Sequence, residues 1–283
     1  MLVRLTPPAG STYLGVDVGG TKVLVLANTA DGRRTWTFPT GPECGPGQLM
    51  EHLRTVADEL GDKRTIVAGI AVPGLTAPDG TITDCDVLPG IAGWNPLRAK
   101  EEVEFSACIN DGDGALATMT HGERPQATLA AVGCGTGIAA ALQLAGVRLR
   151  QFRPYSCELG YVPNGRQGTF DETGSGASLL RRLGVGPVEI KARLAAGDAA
   201  TVAAVREAGE AFGAALATVI NLVHPEKIGL YGGTLGYAGY LPAALAAVDR
   251  LAHPVLRADC QIAELAEPET VVARGALLAA LTR

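Results

Sequence analysis

In YLGVDVGGTKVLVLANTADG, residues 13–32, an apolar run breaks at an aspartate, two glycines and a threonine, then resumes as KVLVLAN. The pattern predicts strands over 13–20 and 22–29 around a polar turn, and a third over RTWTFPT, 34–40, after an Asp31-Gly32 turn. Helical spacing of Leu49, Leu53, Val56 and Leu60 predicts a helix over 47–60. IVAGIAVPG, 66–74, reads as a buried strand, and the next thirty or so residues as turn-rich and irregular. VEFSACINDGDGALATM then predicts a strand, a polar break and a helix.

A second unit with the same rhythm starts near residue 128. TLAAVGCGTG, 128–137, is an apolar strand ending in a glycine-threonine turn, and IAAALQLAGVRLR follows as a hairpin-like segment. This repetition points to an internal duplication. An alanine-rich helix over 199–223 stops at His224-Pro225. KIGLYGGTLG, 227–236, is strand and glycine turn; a helix near 237–248, a strand near 254–260 and a helix near 270–281 complete the pattern. The fold class is α/β, with an N-terminal lobe over 1–111 and a C-terminal lobe over 112–283, the final helix expected to return to the first lobe.

Composition narrows the function classes. The 283 residues are 47% hydrophobic and 19% charged, enough for a substantial core. A formal charge of -5 argues against broad nucleic-acid binding, and no arginine-aromatic stripe is present. The six cysteines are scattered without a CxxC pair, which fits reduced thiols in a cytoplasmic protein. MLVRLTPPAGS reads as a short disordered lead, and no segment reaches membrane-spanning length.

Three glycine turns follow apolar strands. Glycine lets backbone approach closely, and exposed N–H groups cradle anions, so a shared phosphate ligand between two lobes is expected. Each turn is also compatible with a plain strand connection.

With DVGGTK (Asp17–Lys22), INDGDGAL (109–116), GCGTGIA (133–139), CELGYVPN (157–164) and YGGTL (231–235) in this order, the chain resembles the ROK family of sugar kinases and related proteins from about residue 13 to its end. The resemblance implies a two-lobed ribonuclease-H-like, actin-like ATPase fold with a duplicated core. It also implies ATP-dependent phosphorylation of a sugar hydroxyl, with magnesium, and a homodimer. Asp111 would then be the general base that accepts the hydroxyl proton, where the alternative is a helix N-cap. Asp17 would position magnesium. Gly19, Gly20, Thr21 and Lys22 would face phosphate, as would Gly135, Thr136 and Gly137, while Gly232 and Gly233 would lie by the adenosine. Lys22 reads equally as a solvent-facing strand residue, and the Gly232-Gly233 pair as a tight turn. Asn110 and Glu158 would hold sugar hydroxyls.

The departures cluster on the acceptor side. The family histidine is Tyr161 here, and PNGRQGTFDETGSGASLL lacks the cysteines that complete a structural zinc site, so no zinc is expected. Asp171 stands where the family has a second sugar-binding glutamate, one methylene longer. Gly90 replaces an asparagine in the segment Gly90-Ile91-Ala92-Gly93-Trp94. Lost hydrogen-bond groups change selectivity strongly, which points to an unusual acceptor: a hexose, an amino sugar or a sugar-like cyclitol. Two other classes compete. A transcriptional repressor would need a helix-turn-helix, for which a first core strand near residue 13 leaves no room. A non-catalytic sugar sensor or protein-binding regulator is opposed by the presence of Asp17 and Asp111.

Overall fold

The computed structural model describes residues 11–29, 32–61, 65–99, 103–120, 123–149, 157–165 and 167–282. Most of the expected N-terminal lead and Asp31 of the expected turn lie outside the described residues. The described residues fall into two compact units, one from 11–120 and 269–282, the other from 123–149 and 157–268.

The first unit contains β1 (Ser11–Val18), β2 (Lys22–Thr29), β3 (Gly32–Pro39), α1 (Pro46–Leu60), β4 (Thr65–Val72), β5 (Leu75–Thr76), β6 (Ile82–Asp84), β7 (Val103–Asn110) and α2 (Asp111–Thr120). The sheet runs β3-β2-β1-β4-β7. Its first three strands are antiparallel, and β1, β4 and β7 are parallel. Proline in its first turn opens α1, and Gly61 at φ 60 closes it. Leu49, Met50, Leu53 and Val56 bury its apolar face. The turn-rich segment after β4 is anchored by Ile82, Leu88 and Ile91, all fully buried, and by Ile82 N–H donating to the Trp94 carbonyl at 2.8 Å.

Parallel register decides where the polar residues go. Asp17 pairs with Ala71, Ala71 with Ile109, and Val72 with Asn110. The carboxyl ends of β1, β4 and β7 therefore share one edge, the usual ligand edge of a parallel sheet.

The second unit contains β8 (Leu129–Cys134), β9 (Ile138–Leu144), β10 (Val147–Arg148), α3 (Phe170–Gly174), α4 (Gly176–Leu183), α5 (Pro187–Ala195), α6 (Ala199–Val223), β11 (Lys227–Tyr231), α7 (Tyr240–Leu251), α8 (Pro254–Asp259) and β12 (Gln261–Glu264). Its sheet runs β10-β9-β8-β11-β12, again an antiparallel trio followed by parallel strands. The core is thus duplicated, as the repeated rhythm predicted. Asp198 caps α6 by accepting from Thr201 N–H at 2.9 Å, and Phe212, Leu216 and Ile220 are fully buried. Truncating a side chain such as Phe212 to alanine costs about 3–5 kcal/mol.

One expectation changes. Residues 254–259 form a helix, not a strand: Pro254 pre-sets its first turn, and six residues are too few for periodicity to separate the two. The strand follows at Gln261–Glu264. The helices of the second unit begin at Phe170, with α3 set by a Thr169–Glu172 capping box.

The last helix, α9 (Val271–Leu281), belongs to the first unit, as does α2. It lies directly on the sheet: a Cβ on Gly15 would sit 1.9 Å from the Ala273 carbonyl oxygen, and one on Gly69 1.9 Å from that of Ala276. Gly15 and Gly69 are register partners on β1 and β4. Among the described residues no helix is long and apolar enough to cross a membrane.

Candidate active site

At the sheet edge of the first unit, Asp17 is the penultimate residue of β1 and Asp111 opens α2. Both are half-buried, and the surrounding protein desolvates their carboxyl groups. Burial and the like charge of Asp111 push Asp17 up to about 7, with Lys22 opposing. Burial also raises Asp111, opposed by the Gly112 N–H, which donates to Asp111 Oδ1 at 2.7 Å. The same N–H donates to Asn110 Oδ1 at 2.9 Å. Asn110 Nδ2 donates to the Gly74 carbonyl at 3.0 Å. The asparagine is therefore fixed between β4 and α2, and it orients the start of the helix that carries Asp111.

Two adjacent, desolvated carboxylates suit a divalent cation, because magnesium is commonly held by one or two carboxylates and several waters. The pair also makes a stability prediction. The folded-state pKa of Asp17 lies above its unfolded value, so the folded protein holds the extra proton. That contribution is complete below about pH 4 and is lost as pH rises through about 7. In chelator, Asp17→Asn should flatten the decline in melting temperature between pH 5 and pH 8; parallel profiles for variant and wild type would discard the assignment.

Between β1 and β2, Gly19 N–H donates to the Lys22 carbonyl at 2.8 Å and Thr40 Oγ1 to the Gly19 carbonyl at 2.6 Å. Thr21 and Lys22 are exposed. Gly90 lies in a 3-10 turn, Pro89–Ile91, where a Cβ would meet the Cys44 carbonyl oxygen at 2.9 Å. Trp94 packs into the core edge-on to Phe105, with ring centroids 5.9 Å apart.

In the second unit, the pairing of Tyr231 with Gly133 brings the two glycine turns to one edge. Thr136 and Gly137 are exposed, and the turn is held from behind. The Gly135 carbonyl accepts from Gly176 N–H at 2.8 Å and from Thr234 Oγ1 at 3.1 Å, while Ala177 N–H donates to the Thr136 carbonyl at 3.2 Å. Gly232 has φ 111, and a Cβ there would lie 2.3 Å from the Cys134 carbonyl oxygen, so conformation and space both require glycine. Gly233 faces open space. Thr40 escaped the sequence reading, as did the contacts by which Thr234 and Gly176 hold the Gly135 turn, because each joins positions distant in sequence.

Glu158 is exposed and begins the 3-10 turn Leu159–Tyr161, and Tyr161 is 69% exposed. The segment lacking the zinc ligands folds back through a bridge between Pro163 and Thr169. Asn164 N–H donates to the Gly168 carbonyl at 2.6 Å, and Asn164 Nδ2 to Thr173 Oγ1 at 3.1 Å. Asp171 lies on α3, where its Oδ1 accepts from Ile138 N–H at 2.5 Å. Burial raises its pKa, with the Ile138 bond and Arg181 opposing.

Residues 13–282 match the ROK family model. The chain belongs to the ROK family. A kanosamine kinase from Amycolatopsis mediterranei is 29% identical over 269 residues, covering 87% of each chain. A ROK glucokinase from Streptomyces griseus, solved with glucose and AMPPNP, superposes with a TM-score of 0.76 at 20% identity, over 94% of this chain and 98% of that one. A ROK transcriptional regulator, a homolog of the E. coli MLC protein, superposes with a TM-score of 0.73 at 19% identity, over 96% of this chain and 80% of that one. The fold is thus the ribonuclease-H-like, actin-like ATPase fold, on which both enzymes and regulators are built.

Proposed function

We propose that this protein phosphorylates a hydroxyl of an amino sugar, hexose or sugar-like cyclitol with ATP, Asp111 acting as general base. The observation that carries the reading is Asp111 itself. Its carboxylate is desolvated and oriented at the head of α2, beside Asp17, so its basicity is raised in a fixed position. An alcohol is a weak nucleophile, and such a carboxylate can align it and take its proton as the new P–O bond forms. Asp17 would hold magnesium, which supplies charge neutralisation for the phosphates when bound. Gly19, Gly20, Thr21 and Lys22 from the first unit would face phosphate, as would Gly135, Thr136 and Gly137 from the second. Gly232 and Gly233 would border the adenosine. Asn110, Glu158, Tyr161 and the Gly90 turn would border the acceptor.

Among acceptors, kanosamine has the most support, because the kanosamine kinase shares 29% identity over most of both chains. The test is an ATP-coupled screen over kanosamine, glucosamine, N-acetylated hexosamines, glucose, mannose and valiolone-like cyclitols, with the phosphorylated oxygen mapped. A folded protein that turns over ATP with none of them rejects the reading. A sugar-sensing regulator is the second reading, favoured by the fold shared with a ROK regulator. It predicts sugar binding without stimulated ATP turnover. In either case the chain is proposed as a cytoplasmic homodimer without nucleic-acid or membrane partners.

Zinc gives a separate check. With Tyr161 in place of the histidine and no cysteine in residues 163–180, Cys157 alone cannot form a four-ligand site, and backbone hydrogen bonds hold the fold-back. Elemental analysis should find no stoichiometric zinc; about one tightly held zinc per chain would reject this. Magnesium alone should restore turnover after chelation.

A further inference from the structure

Asp171 is packed into the backbone around the second glycine turn. Its Oδ1 accepts from the N–H of Ile138, the residue that follows the Gly135-Thr136-Gly137 turn. A Cβ on Gly137 would lie 3.3 Å from Asp171 Oδ2, and a Cβ on Gly160 2.5 Å from its Oδ1. One carboxylate is therefore packed against both the phosphate-facing turn and the 3-10 turn that carries Glu158 and Tyr161. Its own helix is pinned as well. The Asp171 carbonyl accepts from Ser175 Oγ at 2.6 Å, and the next two residues, Gly176 and Ala177, donate back to Gly135 and Thr136.

We propose that Asp171 is a positioning residue that holds the second phosphate turn through Ile138 and ties it to the Glu158–Tyr161 turn, so that nucleotide and acceptor affinity depend on it together. The inference rests on the reading of Gly135–Gly137 as a phosphate turn. The bond is charge-assisted, with a backbone donor on a partly buried carboxylate, and such a bond orients more strongly than a neutral one. The absence of a side chain at Gly160 is what lets the carboxylate reach its place.

The test measures AMPPNP affinity with magnesium by calorimetry, KM for kanosamine, and folded content. Asp171→Ala should weaken AMPPNP binding by about tenfold or more, the worth of one charge-assisted hydrogen bond. Asp171→Asn, whose amide oxygen can still accept from Ile138, should lose less. Gly160→Ala, which displaces the carboxylate while leaving Asp171 in the chain, should reproduce the alanine loss and decides the matter if Asp171→Ala does not fold. A folded alanine variant that binds AMPPNP within about twofold of wild type overturns the proposal. So does one whose sole defect is a raised KM for kanosamine, since that marks a direct acceptor ligand. A wild-type protein without AMPPNP affinity overturns the phosphate-turn reading and this inference with it. A wild type that binds AMPPNP but ignores kanosamine rejects only that acceptor, and the nucleotide affinities still decide the role of Asp171.

Discussion

Asp111→Asn should lower turnover about 100- to 10,000-fold while the protein stays folded and keeps much of its nucleotide affinity. In barrier terms this is about 3 to 5 kcal/mol. The amide matches the carboxylate in size, and its oxygen can still accept from Gly112 N–H, the bond seen at 2.7 Å. What it cannot do is take a proton. The helix-cap alternative predicts the opposite, because asparagine caps as well as aspartate. The helix start is in any case already served by Asn110, which accepts from the same Gly112 N–H. The measurement is steady-state turnover with the acceptor found by the screen, beside AMPPNP affinity and a circular dichroism spectrum. Near wild-type turnover, with chemistry rate-limiting, would remove Asp111 from the base role.

The elements that carry Asp17 and Asp111 were legible in the sequence because each interrupts an apolar strand at its end. A broken hydrophobic run is a local signal, and both strands form with their polar residues at the shared edge. The long helix Ala199–Val223 was equally legible, because His224-Pro225 stops it locally, and Asp198 caps its start. Residues 254–260 failed because an apolar pair beside a proline suits a strand edge as well as a helix start. The scaffolding of the Gly135–Gly137 turn was illegible for another reason. Thr234 reaches Gly135 across 99 positions, and Asp171 reaches Ile138 across 33. Such bonds follow from the β8–β11 pairing and from where α3 docks, and no local pattern reports them. Asp171 shows the consequence: a match by sequence order suggested an acceptor ligand, and nothing local announced its hydrogen bond to the Ile138 N–H beside the Gly135–Gly137 turn.

The second large effect concerns the seat of α9. Gly69→Val should destabilise the protein by about 3 kcal/mol or more, the upper end for overpacking, because the obstructing atoms are backbone. A Cβ at Gly69 would lie 1.9 Å from the Ala276 carbonyl oxygen and 2.7 Å from its carbon, so relief requires α9 to lift off β4. Gly15, beside Gly69 in register, seats Ala273 on β1 in the same way, so the helix is held at two points on the sheet. Lifting α9 also disturbs α2, since a Cβ on Gly275 would lie 1.7 Å from the Gly114 carbonyl oxygen. Asp111 is the first residue of α2, so the variant should lose turnover beyond what its lower folded fraction explains. Gly47→Ala is the control: it lies in α1, faces open space, and should be neutral or stabilising by up to about 1 kcal/mol. Urea denaturation of the three proteins, with turnover measured well below the transition, reads both effects. A Gly69→Val variant as stable as Gly47→Ala would mean that α9 is not seated on β4 as described. One that is destabilised yet turns over normally per folded molecule would break the link from α9 through α2 to Asp111.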